Sequence, residues 1–80
     1  MKQARKYDKN FERFSLKVQE NIQSLRIHNE LTQEDMMEYE LSLRSIQRIE
    51  NTAQAANITL LTLFRLAKAF GVKPKDLLDI

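Results

Sequence analysis

One glycine, Gly71, and one proline, Pro74, punctuate a chain of 80 residues that contains no cysteine. A strand-and-turn architecture needs turn residues at roughly ten-residue intervals, and this sequence does not supply them. The missing cysteine excludes a disulfide scaffold, a thiolate metal site and a cysteine nucleophile. What remains is an all-α fold. A chain this short buries about two-thirds of its unfolded surface around one core, so neither a second domain nor an enzyme with its own deep cleft is expected. No apolar run approaches the roughly 18 residues of a membrane span, so no membrane partner is expected. The basic start runs into Asp8, Lys9 and Asn10 rather than the apolar core of a secretory signal.

Periodicity divides the chain into five helices. Residues 1–10 have no apolar stripe and read as a basic flexible arm, with residues 11–80 as the folded domain. Phe11, Phe14, Val18, Ile22 and Leu25 line one face of a first helix reaching about His28, with Asn10 or Asp8 as its cap. Thr32 opens a second helix, the acid three residues later completing a capping box. Glu34 and Asp35 fall in its first turn, where the helix dipole favours negative charge. Ser42 starts a third helix through Glu50, with Leu43, Ile46 and Ile49 at every third position. Residues 51–57 are small and amide-rich, a loop. Thr59 caps a fourth helix with a stripe of Leu60, Leu63, Phe64, Ala67 and Phe70. Gly71 stands where a left-handed residue ends that helix, and Pro74 suits the first turn of a last short one carrying Leu77 and Leu78. The expected core is Val18, Ile22, Leu25, Leu31, Met36, Ile46, Ile49, Leu60, Leu63, Phe64, Ala67 and Phe70.

Charge is uneven along the chain. Residues 1–17 hold six bases (Lys2, Arg5, Lys6, Lys9, Arg13 and Lys17) against Asp8 and Glu12, a net of +4. The rest holds seven bases and nine acids, with Glu30, Glu34, Asp35, Glu38 and Glu40 forming an acidic block. A basic end beside a helical domain fits either nucleic-acid contact or a solvated tail.

No catalytic constellation is present, and no enzymatic activity is expected. His28 has neither cysteine nor a second histidine beside it and reads as an exposed residue near a helix end. The acids of the second helix lack the loop and glycine of a cation site. No metal and no cofactor are expected.

The second and third helices, each about eight residues and joined by two or three, must cross steeply, which is the helix-turn-helix arrangement. On the third, Ile46 and Ile49 form the inner side while Arg44, Gln47 and Arg48 project outward. Arginine and glutamine pair bidentately with guanine and adenine edges in the major groove. The alternative is that they are ordinary surface residues of a structural helix.

Four segments, ENIQSLR, LTQED, SLRSIQRIEN and NITLLTLFRLAKAFGVKPKDLL, follow one another in order from about Val18 to Leu78. Together they resemble the phage-repressor-like helix-turn-helix domains, the XRE or Cro/repressor family. The resemblance implies a compact five-helix, lambda-repressor-like DNA-binding domain with its helix-turn-helix at helices two and three. The sequence departs from the family where Glu30 and Glu40 replace glycines before and after the second helix. That helix is also one residue shorter than the family's common form, and the 51–57 loop is about two residues longer than the typical one. Glu40 then sits at positive φ, or the turn is rebuilt.

Carried over by position, the resemblance assigns Ser42, Leu43, Arg44, Gln47 and Arg48 to base reading. It assigns Gln33, Asn51, Thr52, Gln54 and Asn57 to backbone phosphates. It also pairs Arg26 with Glu50 as a structural ion pair, the alternative being two independent surface charges. The implied function is a cytoplasmic, prokaryotic, sequence-specific transcription regulator that binds double-stranded DNA, nucleoid-associated when bound, as a homodimer on a palindromic operator. Its dimer surface would come from the fourth helix, the last helix, and Leu77, Leu78 and Ile80, unless those three are core. The competing reading is a protein-interaction module that kept the fold, as in an antitoxin-like role. The arm adds phosphate contacts, or is a solubilising tail.

Overall fold

Asp8 decides where the first helix begins. Its carboxylate accepts the N–H groups of Asn10 and Phe11 at 2.7 and 3.3 Å, satisfying donors that the first turn cannot. The computed structural model describes residues 7–80, in which α1 runs Lys9–His28 rather than from Phe11. Residues 1–6 of the expected arm lie outside the described residues, while Lys9 and Asn10 belong to α1. A 3₁₀ helix follows over Glu34–Tyr39, then α2 (Leu43–Glu50), α3 (Leu60–Phe70) and α4 (Pro74–Leu77). No strand occurs among the described residues.

Local chemistry fixes the other boundaries. The hydroxyls of Ser42 and Thr59 accept the N–H groups of Ser45 and Thr62, each at 3.1 Å, and so start α2 and α3. Thr32 and Asp35 form the expected reciprocal pair at 2.8 and 3.0 Å, but the 3₁₀ helix begins at Glu34 rather than directly after Thr32, with Gln33 at its N-cap position. Gly71, at φ 68°, closes α3, with the Val72 N–H donating to Ala67 O at 3.0 Å.

The same closure ends α1 without a glycine. The Leu31 N–H donates to Arg26 O at 3.1 Å and the Glu30 N–H to Ile27 O at 2.9 Å, a Schellman arrangement that puts Glu30 at φ 57°. Glu40, ending the 3₁₀ helix, sits at φ 63°. Both glutamates therefore hold the left-handed geometry that glycine adopts without steric cost.

The second helix is 3₁₀ rather than α. A 3₁₀ winding rises about 2.0 Å per residue against 1.5 Å for an α-helix. A six-residue segment can thereby span the turn while both Met36 and Leu41 reach the core.

The core joins Val18 and Ile22 of α1, Met36, Leu41, Ile46 and Ile49, Leu63, Leu66, Ala67 and Phe70 of α3, and Leu77 of α4. Leu25 and Leu31 pack half-buried at its edge. Two expected core residues are corrected: Leu60 is 85% exposed and Phe64 59% exposed. Helix α3 is apolar nearly all round, so several stripes satisfy the helical period. Packing against α1, α4 and the 3₁₀ helix selects the face centred on Leu66. Of the three terminal residues, Leu77 is core, whereas Leu78 and Ile80 are exposed.

Candidate nucleic-acid interface

Helix α2 lies against α1 and the 3₁₀ helix, anchored by Ile46 and Ile49, both buried. With that side fixed, the 3.6-residue period leaves Arg44, Gln47 and Arg48 together on the outer face. All three are exposed, and among the described residues none makes a side-chain hydrogen bond or ion pair. No acid stands in the first turn of α2. Two other residues assigned to base reading sit differently. The Ser42 hydroxyl is engaged in capping and lies 2.9 Å from Ser45 Oγ, and Leu43 is half-buried.

Glu50 closes α2 and is the hub of a polar cluster. Arg26 grips it with two N–H groups, Nε to Oε2 at 2.6 Å and Nη2 to Oε1 at 2.9 Å, and sends Nη1 to Leu31 O at 2.6 Å. Gln23 and Gln33 add their side-chain amides to Glu50 Oε1 at 3.3 and 3.0 Å. The side chains of Arg26 and Glu50 are only 12% and 4% exposed. Burial on its own raises the Glu50 carboxyl, but the hydrogen bonds from Arg26, Gln33 and Gln23 and the Arg26 charge outweigh it, and the net shift is downward. The same hydrogen bond raises the Arg26 guanidinium above its ordinary value. One cluster thus ties α1, the start of the 3₁₀ helix and the end of α2 together. Gln33, assigned to a phosphate by resemblance, is half-buried with its amide donating to Glu50.

Asn51, Thr52, Gln54 and Asn57 are exposed on the loop beyond α2. The Asn51 side-chain oxygen accepts the Ala53 N–H at 3.2 Å, and Asn51 O accepts the Gln54 N–H at 3.3 Å. Behind the loop lies a feature the sequence reading missed. Gln19 is fully buried and Ser15 nearly so, and they bond to the backbone of Ile49, Gln54 and Ala56. The available signal was their i, i+4 spacing on the same side of α1 as Val18 and Ile22. Two polar residues within an apolar stripe need buried partners.

A shallow groove lined by Ser45, Arg48, Asn57, Thr59 and Thr62 separates α2 from the loop end. Arg48 therefore borders both the helix face and the loop. Among the described residues no cluster of histidine or acidic side chains is placed to hold a metal ion, and His28 is exposed at the end of α1. No helix is long and apolar enough to cross a membrane among those residues.

A family model described as helix-turn-helix matches residues 22–77, from the middle of α1 to the end of α4. No curated protein and no solved structure matches the chain. The pair of short helices joined by three residues, the outward arginines of the second and the family match agree, and the chain belongs to the XRE-type helix-turn-helix family of DNA-binding regulators.

Proposed function

We propose that this protein reads a specific DNA sequence by laying α2 in the major groove, as a homodimer on a palindromic operator. One observation carries the reading: Arg44, Gln47 and Arg48 stand exposed together on α2, opposite buried Ile46 and Ile49. Arg44 and Arg48 pair with guanine edges or neighbouring phosphates, Gln47 with adenine, and Leu43 touches a thymine methyl. Ser42 contributes from the first turn while capping it. Gln33, Asn51, Thr52, Gln54 and Asn57 contact the phosphate backbone on either side. The basic residues Lys2, Arg5, Lys6 and Lys9 add sequence-independent attraction. In this reading the protein acts in the cytoplasm, on the nucleoid.

A single recognition helix reads only a few base pairs, so doubling across a two-fold axis is the common route to useful specificity. The exposed side of α3 supports such pairing. Leu60, Leu61 and Phe64 are exposed there, and Leu61 and Phe64 share a depression with Glu38 and Glu40 and with Arg65 and Lys68. Acids and bases around one apolar centre are self-complementary in a two-fold contact.

Selection of bound sequences from random duplex DNA tests the reading. The expected product is a palindromic site whose half-sites lie about 34–36 Å apart. Recovery of no enriched sequence overturns it. The same exposed α3 side chains also favour a protein-binding module, and titrations at two salt concentrations separate the two. Binding that neutralises phosphates weakens steeply with salt, whereas apolar docking does not.

A further inference from the structure

Residues 51–57 contain no charged side chain. A loop of this composition can hold a phosphate only with neutral donors, so the direction of its peptide groups matters. That direction is set from α1. Gln19 Nε2 carries two protons, and its two shorter contacts, Ile49 O at 2.7 Å and Gln54 O at 3.1 Å, take them, leaving Asn51 O at 3.4 Å a weak third. Gln19 Oε1 accepts the Ala56 N–H at 2.9 Å. Ser15 Oγ lies 2.6 Å from Ala56 O and 3.0 Å from Gln19 Oε1, and its single proton goes to the nearer oxygen.

The carbonyls of Gln54 and Ala56 therefore point inward, and no peptide bond among the described residues is cis. In a planar trans peptide the following N–H points the opposite way. The N–H groups of Ala55 and Asn57 are thus turned away from the Gln19–Ser15 pair. Two carbonyl oxygens that would repel an anion are withdrawn with them. Both anchoring side chains precede residue 22, where the family match begins.

We propose that Gln19, assisted by Ser15, is a positioning residue that aims the N–H groups of Ala55 and Asn57 at a phosphodiester of the bound DNA backbone. The inference rests on the DNA-binding reading above. Its signature is distinctive because the donors are neutral. Losing the contact weakens binding to all duplexes alike and leaves sequence preference intact. The salt slope also stays unchanged, because that slope counts phosphates neutralised by lysine and arginine.

Phosphate-ethylation interference tests this, using the full chain and a duplex carrying its selected site. Wild type should be blocked by ethylation of a phosphate flanking the bases read by α2. Gln19→Met, which keeps the length but removes donor and acceptor, should lose that block and bind roughly tenfold more weakly. Ser15→Ala, which removes only the Ala56 bond, should weaken the same block and decides the matter should Gln19→Met not fold. A folded variant that keeps the wild-type interference pattern overturns the proposal, since a purely structural role lowers the melting temperature without changing which phosphate matters. Wild-type binding with no block at a flanking phosphate overturns it while leaving the DNA-binding reading intact. No wild-type binding to any duplex overturns both.

Discussion

Arg44 and Arg48 lie one turn apart on the outward side of α2, and their separate substitution by alanine should leave the fold intact. Each change is expected to weaken binding to the selected site by about 1–3 kcal/mol and relax preference at one or two positions per half-site. Quantitative titration against a panel of single-base variants checks this, and unaltered preference in both would remove α2 from the groove. Glu50 is a different kind of residue, because it and its partner are largely shielded from solvent. Glu50→Ala leaves Arg26, with a side chain only 12% exposed, without its counter-charge, and should cost about 3 kcal/mol in urea unfolding. The pair also sets an acid limit. The Glu50 carboxyl is held below its ordinary value, so its contribution is complete above about pH 4.3, the unfolded value, and is lost as pH falls through the lower folded one. Wild type should lose stability across that acidic window more steeply than an Arg26→Ala, Glu50→Ala double variant. Equal slopes would mean the pair contributes nothing there.

At the scale of elements, the two left-handed glutamates are the clearest local conflict between sequence and fold. Glu30 closes α1 at φ 57°, a conformation costing an L-residue roughly 1–2 kcal/mol, whereas glycine in its place costs roughly 0.5–1 kcal/mol of extra unfolded-state entropy. Glu30→Gly should therefore stabilise the protein by about 0.5–1 kcal/mol. The gain at Glu40 should be smaller, because Arg65 lies 3.3 Å from its carboxylate and 3.4 Å from its carbonyl oxygen. That pair is exposed and worth little, but glycine loses its side-chain half. Thermal melts of the two variants rank the effects, and a lower melting temperature for Glu30→Gly would show that the carboxylate has a compensating role.

Across the whole molecule, the apolar side chains left over by core formation are where the proposed dimer is tested. Leu60 and Phe64 belong to α3 yet contribute little to the core, being 85% and 59% exposed. Replacing both with serine should change stability by no more than about 0.5–1 kcal/mol. In the proposed dimer the same replacement should yield a monomer by analytical ultracentrifugation and reduce affinity for the palindromic site roughly a hundredfold, while single half-site binding persists. A double variant that still sediments as a dimer would place the two-fold contact elsewhere on the surface.

What the sequence determined by itself is what depends on neighbours three or four residues away. Asp8 (one of the two caps the sequence offered), Ser42, Thr59, Gly71 and Pro74 set helix ends, because what ends a helix acts within its own turn. Ile46 and Ile49 fixed the outward side of α2 through the helical period alone. The left-handed positions of Glu30 and Glu40 were legible only through resemblance, as places where the family usually carries glycine. Tertiary structure decided what the local pattern left degenerate. Helix α3 has apolar side chains on most sides, so only the elements packed around it selected Leu66 over Leu60 and Phe64. The anchoring of the 51–57 loop was equally hidden, because Gln19 meets partners 30 to 37 positions away. A buried amide has no periodic signature that names those partners; their positions exist only once α1, α2 and the loop have been brought together by the apolar core.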